Sequence, residues 1–150
     1  MKEAIRQAKK AAALGDVPIG CVIVYQDKII GRGYNRRMAD KTVLAHAEII
    51  AMRKACKKMG DWRLEECELY VTLEPCPMCA GAILHARLDQ VVFGTRDPKG
   101  GAVRSMEEMF ALPYHWKPEV YEGLLQAECA GKLTNFFRML RAKKKQAQQK

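Results

Sequence analysis

Residues Glu74–Leu84 read EPCPMCAGAIL, and the cysteine pair within them is the most reactive arrangement in the chain. Pro77 suits a first helical position, because its missing N–H would find no partner there. That places Cys76 at the N-cap and Cys79 at the third helical position. Both thiols then sit at the positive end of a helix dipole, which favours thiolate. The pair by itself fits three chemistries: a redox couple, half of a structural zinc site, or part of a catalytic one. Zinc needs further ligands. Cys56 stands ten residues beyond His46, about 15 Å along a helix, so the two exclude each other. Cys67 is separated from Cys76 by an extended strand, and His85 lies two turns past Cys79; neither shares a site with the pair. Sequence does not place Cys21 or Cys129. His46, in AHAE, remains the best third ligand. Three ligands leave a fourth position for water, which defines a catalytic zinc site. Glu48 is then the candidate for moving the water's proton. Residues two apart on a regular helix point about 200° apart, so His46 must sit at an irregular helix start for both to face one site.

The elements that position these residues follow from periodicity. Residues 2–14 read as a helix stopped by Gly15 and Pro18. VPIGCVIVYQ and KIIGRGYN predict two antiparallel strands turning at Gln26-Asp27. AHAEIIAMRKACKKMG predicts a helix, with Ile49, Met52, Cys56 and Met59 on one stripe and Gly60 at its end. CELYVTLE is a strand, CPMCAGAILHARL a helix, QVVFGTR a strand and DPKGG a loop. SMEEMFAL predicts a short helix and PYHWKP an irregular segment. A last helix is expected from about Leu124 to Leu140, then a basic, fraying tail over 142–150. Strands alternating with helices after a hairpin predict a layered α/β domain with a mixed sheet. In such domains the helices that follow strands begin at one sheet edge, so His46 and the cysteine pair can converge.

Composition narrows the partners. The 150 residues favour one domain, read here as 1–141. The 26 basic and 17 acidic residues give a net charge of +9, which suits an anionic partner, with nucleic acid the commonest. Six scattered cysteines do not make a disulfide scaffold of this length. No export signal or membrane-length apolar run is visible, which predicts a cytoplasmic protein with reduced thiols and no membrane partner.

His-x-Glu at 46–48, followed by Pro-Cys-x-x-Cys at 75–79, resembles the zinc-dependent nucleoside and nucleic-acid deaminases. The similarity is greatest to the bacterial tRNA-specific adenosine deaminase family and covers nearly the whole chain, through VPIGCVIV, GRGYNRR, AHAEIIAMRKA, EECELYVTLEPCPMCAGAILHAR, VVFGTRDPKGGAVRS and FFRMLR. The first helix looks shorter than in that family, as a trimmed start would leave it. The resemblance implies a cytidine deaminase-like fold, a three-layer α/β/α arrangement around a mixed five-stranded sheet. It implies one Zn2+ per subunit held by His46, Cys76 and Cys79, with hydroxide on the metal attacking adenine C6, Glu48 as the proton shuttle and ammonia leaving. The product would be inosine at the wobble base of a tRNA anticodon stem-loop. It further implies Asn35 against the purine, and Asp97, Lys99, Phe136 and Phe137 in the RNA groove. The family is dimeric, which predicts a homodimer. Arg36, Arg37, Lys99, Arg104 and the basic residues 141–145 are expected to meet phosphates. One departure stands out: Thr42-Val43-Leu44 replaces the Asp-Pro-Thr often found before Ala-His-Ala-Glu. Two other readings remain open, a free-base or free-nucleoside deaminase and a non-catalytic zinc-containing RNA-binding module. Glu48 separates the last from the others, because a binding module has no use for it.

Overall fold

The computed structural model describes residues 1–149. Gly20–Tyr25 (β1) and Lys28–Tyr34 (β2) pair antiparallel, with Tyr25 opposite Lys28. The turn between them has positive φ at both Gln26 and Asp27, the geometry whose twist matches a two-residue hairpin. β3 (Cys67–Leu73) runs antiparallel to β1 on its other side. β4 (Gln90–Thr95) and β5 (Glu119–Glu122) add in parallel, giving the order β2-β1-β3-β4-β5. The sheet is therefore mixed and five-stranded, as expected.

Helices cover both faces. α1 (Lys2–Ala13) packs on β1 and touches α5 (Gln126–Gln148), which lies against β4. α3 (Ala47–Met59) packs on β2 and β1 and meets α4 (Pro77–Ala86) on the opposite face. Close approach sets two sequence choices. A Cβ on Gly20 would overlap the Ala4 carbonyl of α1, and one on Gly33 the Ala47 carbonyl of α3. The main core lies between the sheet and α3/α4, where Leu69, Val71, Val91 and Phe93 meet Ala51 and Ile83, all fully buried.

The direction of the strands makes the site. β1 is antiparallel to both β2 and β3, so β2 and β3 run the same way. The chain leaves both at one sheet edge, and α3 and α4 start there.

Three local expectations are corrected. The helix expected over SMEEMFAL is only a 3-10 turn at Met109–Ala111. Its preceding backbone groups are committed to the loop: Met106 N–H donates to the Gly101 carbonyl and Met109 N–H to that of Ala102. A one-turn helix, α2 (Arg37–Asp40), forms where none was expected. It is seeded by the buried Asp16, which accepts the Met38 N–H at 3.0 Å. The last helix, expected to end near Leu140, extends to Gln148. Ala, Lys and Gln are strong helix formers, and neither Gly nor Pro interrupts them; Lys150 lies outside the described residues. β5, which follows the irregular PYHWKP segment, is four residues long and largely exposed, so it left no alternation to read.

Candidate active site

His46 is the N-cap of α3 and is extended, with φ −80° and ψ 150°. Cys76 is the N-cap of α4, with Pro77 at the first helical position, and Cys79 lies in the first turn. Because His46 is not yet helical, the 200° argument does not apply, and Glu48 can turn toward the same centre. The two helix starts bring His46 Nδ1 to 3.5 Å from Cys79 Sγ and 3.7 Å from Cys76 Sγ. The three donor atoms lie within 4.8 Å of one another, a group that can hold a metal ion. A tetrahedral zinc at its usual bond lengths would set each sulfur roughly 3.6 Å from the imidazole nitrogen. The site fits that geometry without rearrangement.

Electrostatics within the cluster point the same way. A hydrogen bond from Cys79, with a second from His46, draws Cys76 down to about 4. The same Cys76–Cys79 contact, with burial, raises Cys79, and the Cys76 interaction raises His46. Protons thus sit where a cation would bind, and metal uptake would release them. Burial pushes the Glu48 carboxyl up to about 7.

These residues open onto a cavity of about 830 Å³, lined among others by Asn35, Arg37, His46, Glu48 and Cys76. Asn35 is buried, and its Oδ1 accepts the Ala47 N–H at 2.9 Å. Asp97 and Lys99 also line it, and Asp97 Oδ1 accepts the N–H groups of Lys99 and Gly100. Phe137 faces the cavity, but Phe136 turns into a groove against α1 with Lys9 and Lys143. Arg36 is not part of the lining: its guanidinium is engaged by Asp40 and the Tyr34 hydroxyl. Arg37 takes the place at the wall, 3.7 Å from Asp16. The unusual Thr42-Val43-Leu44 segment is tied by the Thr42 hydroxyl to the Leu44 N–H, leaving Val43 and Leu44 exposed.

Sequence reasoning missed Glu74, Arg96 and Leu133, which also line the cavity; Arg141, the first of the basic residues 141–145, lines it as well. Leu133, Phe137 and Arg141 recur every four residues, so the helical stripe was a usable signal. Glu74 carried none, since one acid at a strand end has no pattern.

A model of the MafB19-like deaminase family matches residues 1–141. A tRNA-specific adenosine deaminase of Bacillus subtilis is 50% identical over 148 residues, covering 98% of this chain and 92% of its own.

This chain belongs to the MafB19-like deaminase family.

A second relative of this deaminase, a tRNA-specific adenosine deaminase of Agrobacterium fabrum, is 46% identical over 92% of this chain and 91% of its own. Among solved structures, one from a study of A-to-I editing by tRNA:A34 deaminases at the wobble position is 46% identical. It superposes with a TM-score of 0.87 over 89% of this chain and 97% of that one. The three-layer deaminase fold expected from the sequence is therefore the observed one.

Proposed function

We propose that this chain hydrolyses adenosine to inosine at the wobble position of a tRNA anticodon. The observation that carries the reading is the convergence of His46, Cys76 and Cys79 beside the buried Glu48, at a cavity whose walls hold Arg37, Arg96, Lys99 and Arg141. His46 Nδ1 and the two sulfurs would hold one zinc per subunit. Zinc so bound supplies a water whose pKa falls to about 7.

Glu48 would carry the protons of the attacking water, one to purine N1 and one to the amino nitrogen leaving C6, so that adenosine and water become inosine and ammonia. A carboxyl near 7 can both accept and give a proton at neutral pH. Asn35 orients the base. With Oδ1 held by the Ala47 N–H, the side chain is oriented, and its NH2 donors suit an acceptor on the purine ring. Phe137 provides a ring for stacking of an unpaired base, and the wall cations face the backbone phosphates. An anticodon loop suits such a site because its bases are already splayed out of a duplex.

The chain is proposed to act as a cytoplasmic homodimer. Beside α3 and α4, the exposed Trp62 adjoins the partly buried Ile49 and Ala82, and no neighbour crowds Gly81. Among the described residues, no helix is long and apolar enough to cross a membrane.

A deamination assay on an anticodon stem-loop tests the function. Inosine should form, and removal of zinc by a chelator should stop it. Turnover of free guanine or free nucleosides in place of the stem-loop would overturn the RNA reading.

A further inference from the structure

Glu74 is 2% exposed and sits between the end of β3 and the Pro75–Cys76 step. Its carboxylate is surrounded by donors from a single distant loop. Oε2 accepts the consecutive N–H groups of Val103 at 3.0 Å, Arg104 at 2.8 Å and Ser105 at 3.0 Å. Oε1 accepts the Asp97 N–H at 3.1 Å and the Ser105 hydroxyl. Successive backbone N–H groups form a concavity suited to an anion, and here the anion is the protein's own side chain. The fit leaves no room: a Cβ on Gly101 would overlap the carboxyl carbon and both oxygens. Backbone bonds complete the seam. Glu74 N–H donates to Thr95 O, and Ala102 N–H to Pro75 O, each at 2.9 Å.

The loop so held is the one that carries Asp97, Pro98 and Lys99 on the cavity wall. It contains little regular structure of its own. The next residue but one after Glu74 is Cys76, a member of the metal-binding group.

We propose that Glu74 is a positioning residue for the RNA substrate, whose carboxylate fixes the 97–105 loop in register with the Cys76 helix so that wall and metal group act as one rigid body. This rests on the tRNA reading for its kinetic consequence, and on geometry alone for its structural one. Glu74→Gln keeps size and removes charge. Its amide nitrogen cannot accept from the N–H groups that one of the two oxygens now serves.

The test uses the zinc-loaded full chain, comparing wild type with Glu74→Gln. Amides of Val103, Arg104 and Ser105 should exchange with deuterium at least about tenfold faster in the variant, with β3 and β4 protection retained. The KM for the anticodon stem-loop should rise about tenfold, with kcat within about threefold and zinc content unchanged. A general structural role would instead lower zinc content and strand protection together, and that result overturns the proposal. So does unchanged loop exchange. If Glu74→Gln does not yield folded protein, Ser105→Ala decides: a KM raised severalfold supports the proposal, and an unchanged KM overturns it. Wild type failing to deaminate the stem-loop would count against the tRNA reading, while the exchange comparison, which needs no substrate, would still judge Glu74.

Discussion

Glu48 differs from an ordinary first-turn acid in one respect: it is buried. A helix N-terminus stabilises an exposed carboxylate by a few tenths to about 1 kcal/mol, and water would do as much. Here only 4% of the residue remains exposed, and burial raises its carboxyl toward neutrality. A carboxyl so placed, beside one imidazole and two thiols, suits the proposed proton transfer. Glu48→Ala should lower kcat about 10²- to 10⁴-fold, the range for a positioned acid–base group. Zinc content by mass spectrometry and stem-loop affinity should stay at wild-type levels. Loss of zinc in that variant would mean that Glu48 supports the metal group and not the proton transfer. Arg36 and Arg37 show the limit of reading single residues. Adjacent and alike in sequence, they differ because Asp40 and Tyr34 capture the first, and Asp16 stands beside the second.

At the scale of elements, the decisive features are two helix starts and one loop. The starts were legible because Pro77 and the AHAE segment mark helix N-termini by type. The loop was not, because its order comes from Glu74, about thirty residues away in sequence. The SMEEMFAL helix failed for a related reason: local propensity favoured a helix, but Ser105 is bound to Glu74, and the Met106 and Met109 N–H groups turn back to the carbonyls of Gly101 and Ala102. The approach of β2 to α3 is tight in a way that a strand pattern hints at only through its glycines. Gly33→Ala would push a methyl into the Ala47 carbonyl, next to His46. It should destabilise the fold by about 1–3 kcal/mol, as overpacking does. The check is a lowered urea midpoint at unchanged slope, together with weaker zinc retention under chelator. Wild-type zinc retention would mean that the strain is absorbed on the β2 side.

For the whole molecule, charge is the feature that composition reported most directly. The +9 total says that an anion is a suitable partner, but not where it binds. The fold gathers Arg37, the Arg96–Lys99 loop and Arg141 from three separate segments around one cavity, and leaves the lysines at 143–145 on the exposed end of α5. Stem-loop affinity should therefore fall steeply with salt. Lys99→Ala and Arg141→Ala should each weaken binding and shallow the log–log salt slope by about 0.7, the share of one phosphate contact on a single strand. Arg36→Ala, whose charge is already paired with Asp40, should leave the slope unchanged. An equal effect at all three positions would show that the RNA path is broader than the cavity.

The sequence by itself determined the His46, Cys76 and Cys79 donor set, the helix starts that carry it and the α/β alternation. Each of these depends on residue type at short spacing, where one residue constrains its neighbours directly. The tertiary structure alone decided that Asn35 turns its carbonyl oxygen to the α3 backbone, that Phe137 and not Phe136 faces the cavity, and that Glu74 gathers the 97–105 loop. Those depend on which side of a packed element a group meets, and on donors that come from strands and loops distant in the chain. The opening cysteine pair shows both. Its spacing at a helix start allowed zinc, but only the parallel run of β2 and β3 brings His46 to within 3.7 Å of both sulfurs.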